Sequence, residues 1–220
     1  MAYTATNFVE KMKAMTCKGT FKWPHLIVPD TRFSGDAIPD YTSNIVFDPD
    51  AADVQEFLNK VRKFDEAGYA AASKTVGKSS LPRRQCIKDD LDADGEPTGL
   101  VAIKVKSKSA FKDRRTGAVN ERSLKLFNAK GTDVTGASNY AQIWSGTTGK
   151  MQLTLDYNKA PNGYGVTMYI DAVQVIDLVA GSGGRDAGDF GFSAEVGTSS
   201  EPEFAAAPAA VVEDEGVMEF

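Results

Sequence analysis

Lys104, Lys106 and Lys108 stand at alternate positions in a β-type stretch, Leu100 to Ser107 and just beyond. Val101, Ile103 and Val105 fill the intervening positions, so the period of two places the three ammonium groups on one face and the apolar side chains on the other. Lys112, Arg114 and Arg115 continue the basic set, with Phe111 among them. Cations interleaved with an aromatic can hold a sugar-phosphate backbone while a base stacks on the ring. The same alternation also describes the solvated face of an ordinary half-exposed strand, and lysine protects sheet edges. Trp23 and Tyr41 are candidate stacking platforms, because they lie beside Lys22 and a Pro-flanked loop. Most of the other aromatics are expected in the core, where they supply much of a small barrel's burial.

Charge distribution favours the nucleic-acid reading. Residues 1–180 hold 24 Lys and Arg against 21 acids, a net of +3, whereas 181–220 hold Arg185 against nine acids, a net of −8. The overall −5 thus combines a mildly basic body with a strongly acidic arm. From Gly181 to Ala210 the arm is Gly, Ala, Ser, Pro and acids without apolar periodicity, a composition expected to stay disordered. It finishes with Glu213, Asp214, Glu215, Glu219 and the aromatic Phe220. A flexible anion tethered to a basic surface competes there with another polyanion, and nucleic acid is the obvious one. A purely solubilising tail gains nothing from a terminal phenylalanine.

Other chemistry finds little support. Gly77-Lys78-Ser79-Ser80 lacks the earlier glycine of a phosphate-binding loop, since Ala72 stands there. Asp90, Asp92, Asp94 and Gly95 match the first half of a calcium loop, but Val101 occupies the position of its bidentate glutamate. Those aspartates are also the sole basis for a metal-dependent nuclease. His25 is the one histidine and reads as a hydrogen-bonded structural residue. Cys17 and Cys86 are isolated and suggest reduced thiols. No catalytic group, metal or cofactor is expected. No apolar run is long enough to cross a membrane and no leader is apparent, so a cytoplasmic protein is expected.

The elements that must position these residues read as mainly β. Residues 1–18 suggest a short helix or arm. Phe21 to Val28 suggests a strand interrupted by Pro24, and Tyr41 to Phe47 a second. A helix follows, capped by Asp48 and started by Pro49, with Val54, Phe57, Leu58, Val61 and Phe64 on one face. Gly68 is expected to weaken or end it. Residues 74–99 suggest a long surface loop. Further strands are expected at Leu100 to Ser107, Ser123 to Asn128, Tyr140 to Ser145, Met151 to Tyr157 and Gly165 to Leu178, the last bending near Asp171-Ala172. An OB-type barrel over 1–180 with one inserted helix and a tail over 181–220 is the most economical arrangement, with a β-sandwich as the alternative.

The order of these segments resembles a known family. It runs from Gly19 to Pro29 (GTFKWPHLIVP) through the tyrosine-led strand, the helix from Asp50, Ala102 to Lys108, the Thr116-Gly117 turn, Phe127-Asn128 and Ile143 to Gly149, to Gly165 to Leu178 (GVTMYIDAVQVIDL). With the Phe220 ending, this resembles the single-stranded-DNA-binding proteins of bacteriophage replication systems. The resemblance implies an OB-fold core, no catalysis, and a role coating exposed strands in replication and recombination in the host cytoplasm. It also implies an acidic tail that contacts the replicative polymerase and the helicase or primase. A homodimer is compatible with it. A non-enzymatic β-rich structural or assembly protein of the virion type, with a solubilising tail, is the alternative.

Overall fold

The computed structural model describes residues 8–179 apart from Phe33, Asp36 and Ala141. Among the described residues ten strands and one α-helix occur in the order β1 (Met12–Met15), β2 (Gly19–Asp30), β3 (Asp40–Phe47), α1 (Ala52–Val76), β4 (Ile87–Leu91), β5 (Pro97–Lys108), β6 (Ala110–Lys112), β7 (Val119–Glu121), β8 (Lys125–Phe127), β9 (Thr148–Ala160) and β10 (Gly163–Asp177). All lie in the first of two units, Met1–Ser182. The second, Gly183–Phe220, lies outside the described residues, and with it Glu213, Asp214, Glu215, Glu219 and Phe220.

Five strands close a ring. β2 pairs with β3, β3 with β5, β5 with β10, β10 with β9, and β9 with β2. The β5–β10 contact is parallel and the other four are antiparallel. This is a five-stranded barrel of the OB type, with β2, β3, β5, β9 and β10 as its first to fifth strands. The alternation in the sequence fills it. Phe21, Ile45, Ile103, Val105, Met151, Leu153, Leu155, Ile170 and Val173 are fully buried. β10 changes register between Ile170 and Ala172, at the expected bend.

Helix α1 turns Val54, Phe57, Leu58 and Val61 inward and packs on β9 and β10. Gly68 does not end it. It is a buried contact position, and a Cβ there would overlap the Tyr157 ring of β9. The helix stops instead at Gly77, whose φ of 67° suits glycine, with its N–H directed to Lys74 O and that of Lys78 to Ser73 O. The glycine of the GKSS segment is therefore a helix cap. At the other end Asp48 Oδ1 accepts from the Asp50 N–H at 2.9 Å, so it shapes the preceding turn, and the helix begins after Ala51 without a side-chain cap.

Other expectations are corrected. Within 1–18, Met12–Met15 form β1, antiparallel to β9, because that barrel strand offers an unpaired edge; Phe8 packs edge-on against Tyr157 and Tyr164. The expected loop at 74–99 contains β4, hydrogen-bonded to β5 through the turn at 92–96. Tyr140 to Ser145 is not a strand. Ser138–Tyr140 form a 3-10 turn, and the Trp144 N–H reaches Val179 O rather than a sheet.

Candidate nucleic-acid interface

On β5, Ile103, Val105 and Ser107 face the core, while Lys104, Lys106 and Lys108 face out. The antiparallel register sets Asn44, Thr42 and Asp40 of β3 directly beside them in that order. These residues form the floor of a groove of 1120 Å³. Ser34, Ala37 and Ile38 from the β2–β3 loop border it, as do Asn162 from the β9–β10 turn, Arg83 and Arg84, and Asp89 to Asp92 from the β4–β5 hairpin. In an OB barrel, the face of the second and third strands and the first-to-second and fourth-to-fifth loops are the oligonucleotide-binding surface. Those are the elements that line this groove.

The cations of the groove are not equivalent. Lys108 Nζ pairs with Asp40 at 3.1 Å and donates to Ile38 O at 2.9 Å. Lys22 Nζ pairs with Asp90 at 2.7 Å. Arg83 pairs with Asp65 at 2.8 Å and covers the Tyr69 ring. Arg84 is tied to Asn158 Oδ1, Gly165 O and Thr167 Oγ1. Lys88, Lys104 and Lys106 make no ion pair with any described residue. Their charges are thus available to an incoming anion without first breaking a contact. Cys86, also in the groove lining, has its thiol pushed up to about 11, chiefly by burial. It is therefore a neutral thiol near pH 7, not a nucleophile.

Trp23 lies at one end of this floor and is 63% exposed. Its φ of 51° is the only positive value at a non-glycine among the described residues. The β2–β3 register is interrupted between Lys22 and His25, where Trp23 and Pro24 bulge out. The Trp23 N–H is held by Ser145 Oγ at 2.9 Å, and Lys22 Nζ lies 4.9 Å from the centre of its ring. A bulky side chain in the left-handed region costs about 1–3 kcal/mol, and such strain concentrates where a side chain must be presented to a ligand.

The remaining expected site residues fall elsewhere. Tyr41 is 7% exposed, packs in the core and donates its hydroxyl to Arg122 O at 2.9 Å. Its position at the inward phase of β3 makes it a structural ring, not a stacking platform. Phe111, Lys112, Arg114 and Arg115 occupy the β6–β7 hairpin, which follows β5 directly but does not line the groove. Phe111 is 58% exposed there. Sequence reasoning missed Lys22, Lys88 and Arg84 as groove residues; nothing in their local pattern separates them from ordinary surface cations. His25 Nε2 lies 3.0 Å from Arg32 Nη2, a hydrogen bond in which the ring nitrogen accepts.

The acidic run is used within the fold. Asp90 is buried, accepting from Lys22 and from Thr98 Oγ1 at 3.1 Å. Asp92 Oδ1 accepts from the Asp94 and Glu96 N–H groups, each at 2.9 Å. Among the described residues no cluster of His, Cys, Asp and Glu is arranged to hold a metal, and no helix is long and apolar enough to cross a membrane.

Barrel order, groove and inserted helix define an OB-fold of the kind built around an oligonucleotide-binding face. Known structures with this fold include the single-stranded DNA-binding protein gp2.5 of bacteriophage T7, with a TM-score of 0.63 at 19% identity over 90% of this chain and 100% of that one. The single-stranded DNA-binding protein of bacteriophage Enc34 in complex with ssDNA has a TM-score of 0.53 at 14% identity, covering 77% of this chain and 89% of that one. A C-terminally truncated form of the Enc34 protein gives 0.51 at 14% identity over 76% and 87%. The chain therefore has the fold of these bacteriophage proteins. No family model matches the sequence, and no curated protein matches it.

Proposed function

We propose that the protein binds single-stranded DNA without strong sequence preference and performs no turnover. The observation that carries this reading is the pair of unpaired ammonium groups, Lys104 and Lys106, on the OB binding face, with Trp23 exposed at its end in a strained backbone. Phosphates would lie along the lysines and a base would stack on Trp23. Stacking is worth about 1–3 kcal/mol per base and tolerates sequence, because every base has a π-face. The basic β6–β7 hairpin, with Phe111, Lys112, Arg114 and Arg115, extends the track beyond the groove. Coating of exposed strands in phage replication and recombination is the setting that fits such a protein. The acidic segment 181–220 would compete for the same cations and, through Phe220, engage polymerase and helicase or primase partners.

A titration of a labelled 20-mer across a salt series tests this reading, run with the full chain and with a chain ending at Ala180. Binding that falls steeply with salt, and that tightens when 181–220 are removed, supports it. Absence of binding at low salt leaves the non-enzymatic structural or assembly role.

A further inference from the structure

We propose that Lys22 is a positioning residue for Trp23: held by Asp90 of the β4–β5 hairpin, its ammonium fixes the indole ring and leaves one ring face open to a base. This inference rests on the stacking role given to Trp23 above. The ring has every freedom to move unless something holds it. It is 63% exposed and belongs to a bulge, and exposed side chains ordinarily change rotamer within picoseconds to nanoseconds. Ordering one such side chain only when the ligand arrives costs about two- to tenfold in affinity.

The holding contacts come from far along the chain. Lys22 is on β2 and Asp90 on β4, with β3 and β5 between them in the sheet. β4 changes register between Asp89 and Leu91, which takes Asp90 out of the strand's alternation. Asp90 Oδ1 accepts from Lys22 Nζ at 2.7 Å, and Leu91 O accepts a second bond from the same ammonium. Asp90 is itself fixed: it is 8% exposed, and its Oδ2 accepts from Thr98 Oγ1 at 3.1 Å. Two of the three ammonium donors are thus committed, so the charge has a set place. That place is over the Trp23 ring, 4.9 Å from its centre, within the range at which an indole face attracts a cation. The backbone is tied separately, by Ser145 Oγ on the Trp23 N–H. One face of the ring therefore lies against the cation, and the opposite face is left for a base. Because Asp90 already pairs with it, Lys22 supplies position rather than a phosphate contact, unlike Lys104 and Lys106.

Trp23 and Trp144 are the only tryptophans of the chain, so a Trp144→Phe protein reports on Trp23 alone. In that protein, time-resolved fluorescence anisotropy should show the indole turning with the whole molecule; a dominant subnanosecond component, with Lys22 and Asp90 in place, would overturn the proposal. Replacing the pair together, Lys22→Met with Asp90→Asn, leaves the net charge unchanged and keeps an acceptor oxygen for Thr98. This variant should gain the fast component and bind a labelled 20-mer about two- to tenfold more weakly, with the salt slope of the wild type. Wild-type affinity in the folded pair variant would overturn the proposal. So would a slope smaller by about 0.7, because Lys22 would then hold a phosphate itself. In a Trp23→Gly chain the same two changes should weaken binding no further; an additional loss there would show Lys22 acting other than through the ring and would also overturn it. A Trp23→Gly chain that binds like the wild type would instead overturn the stacking role on which the inference rests.

Discussion

Replacing Lys104 and Lys106 together by alanine should change the salt dependence of binding more distinctly than its strength. Both side chains face out from β5, and neither is committed to a carboxylate. Their loss therefore exposes no unpaired partner, and stability should stay near wild type. Each phosphate contact on a single strand contributes about 0.7 to the slope of log affinity against log salt, so the double variant should lose about 1.4 of slope. Between about 50 and 200 mM salt, that difference amounts to roughly a sevenfold change in how far affinity falls. The assay is fluorescence anisotropy of a labelled oligonucleotide at four or more salt concentrations, with circular dichroism to confirm folding. Lys108→Ala serves as the internal comparison. Its ammonium is already paired with Asp40, so it should remove less slope than either neighbour. A folded Lys104→Ala, Lys106→Ala protein whose slope equals the wild type would refute the assignment of these lysines to phosphates.

Three further outcomes follow from the packing. Trp23→Gly relieves the positive φ and should leave stability unchanged or raise it by about 1 kcal/mol in urea denaturation, while weakening single-strand binding by about 1–3 kcal/mol; a less stable protein with unchanged binding would mean that Trp23 serves the fold. Gly68→Ala pushes a methyl into the Tyr157 ring and should cost about 1–3 kcal/mol by the same measurement, with the m-value preserved. Cys86 is held protonated in the folded chain up to about pH 11, above its ordinary value of 9.0, so its contribution is fully present below pH 9. That contribution should be lost as pH rises from 9 to 11, because the unfolded thiol ionises first. Cys86→Ala should flatten the stability profile in that window, and an unchanged profile would contradict the burial assigned to the thiol.

The barrel was legible where periodicity was strong. The alternation from Val101 to Lys108 predicted which side of β5 meets the core, and the aromatic and β-branched run at Phe21 predicted β2 with its break at Pro24. Helix α1 was legible from Val54 to Phe64, but Gly68 was misread. A glycine that ends a helix and one that lets a tyrosine ring approach look alike until Tyr157 is brought from β9. β1 and β4 were missed because each is short and gains its order from pairing with a barrel strand, a contact between residues far apart in the chain. The groove was half legible. Alternate lysines announced its floor, whereas Lys22, Lys88 and Arg84 join it only through the fold. Tyr41 and Trp23 could not be told apart by type or neighbours. Strand phase buries the first, and a bulge at positive φ exposes the second.

The central claim, that the outward face of β3 and β5 holds a single strand, is tested most directly by lysine-acetylation footprinting read by mass spectrometry, with and without a saturating oligonucleotide. Lys104 and Lys106 should lose most of their reactivity when the oligonucleotide is bound, while Lys60 and Lys63 on α1 should be modified at an unchanged rate. Undiminished modification of Lys104 and Lys106 under saturating oligonucleotide would contradict the account.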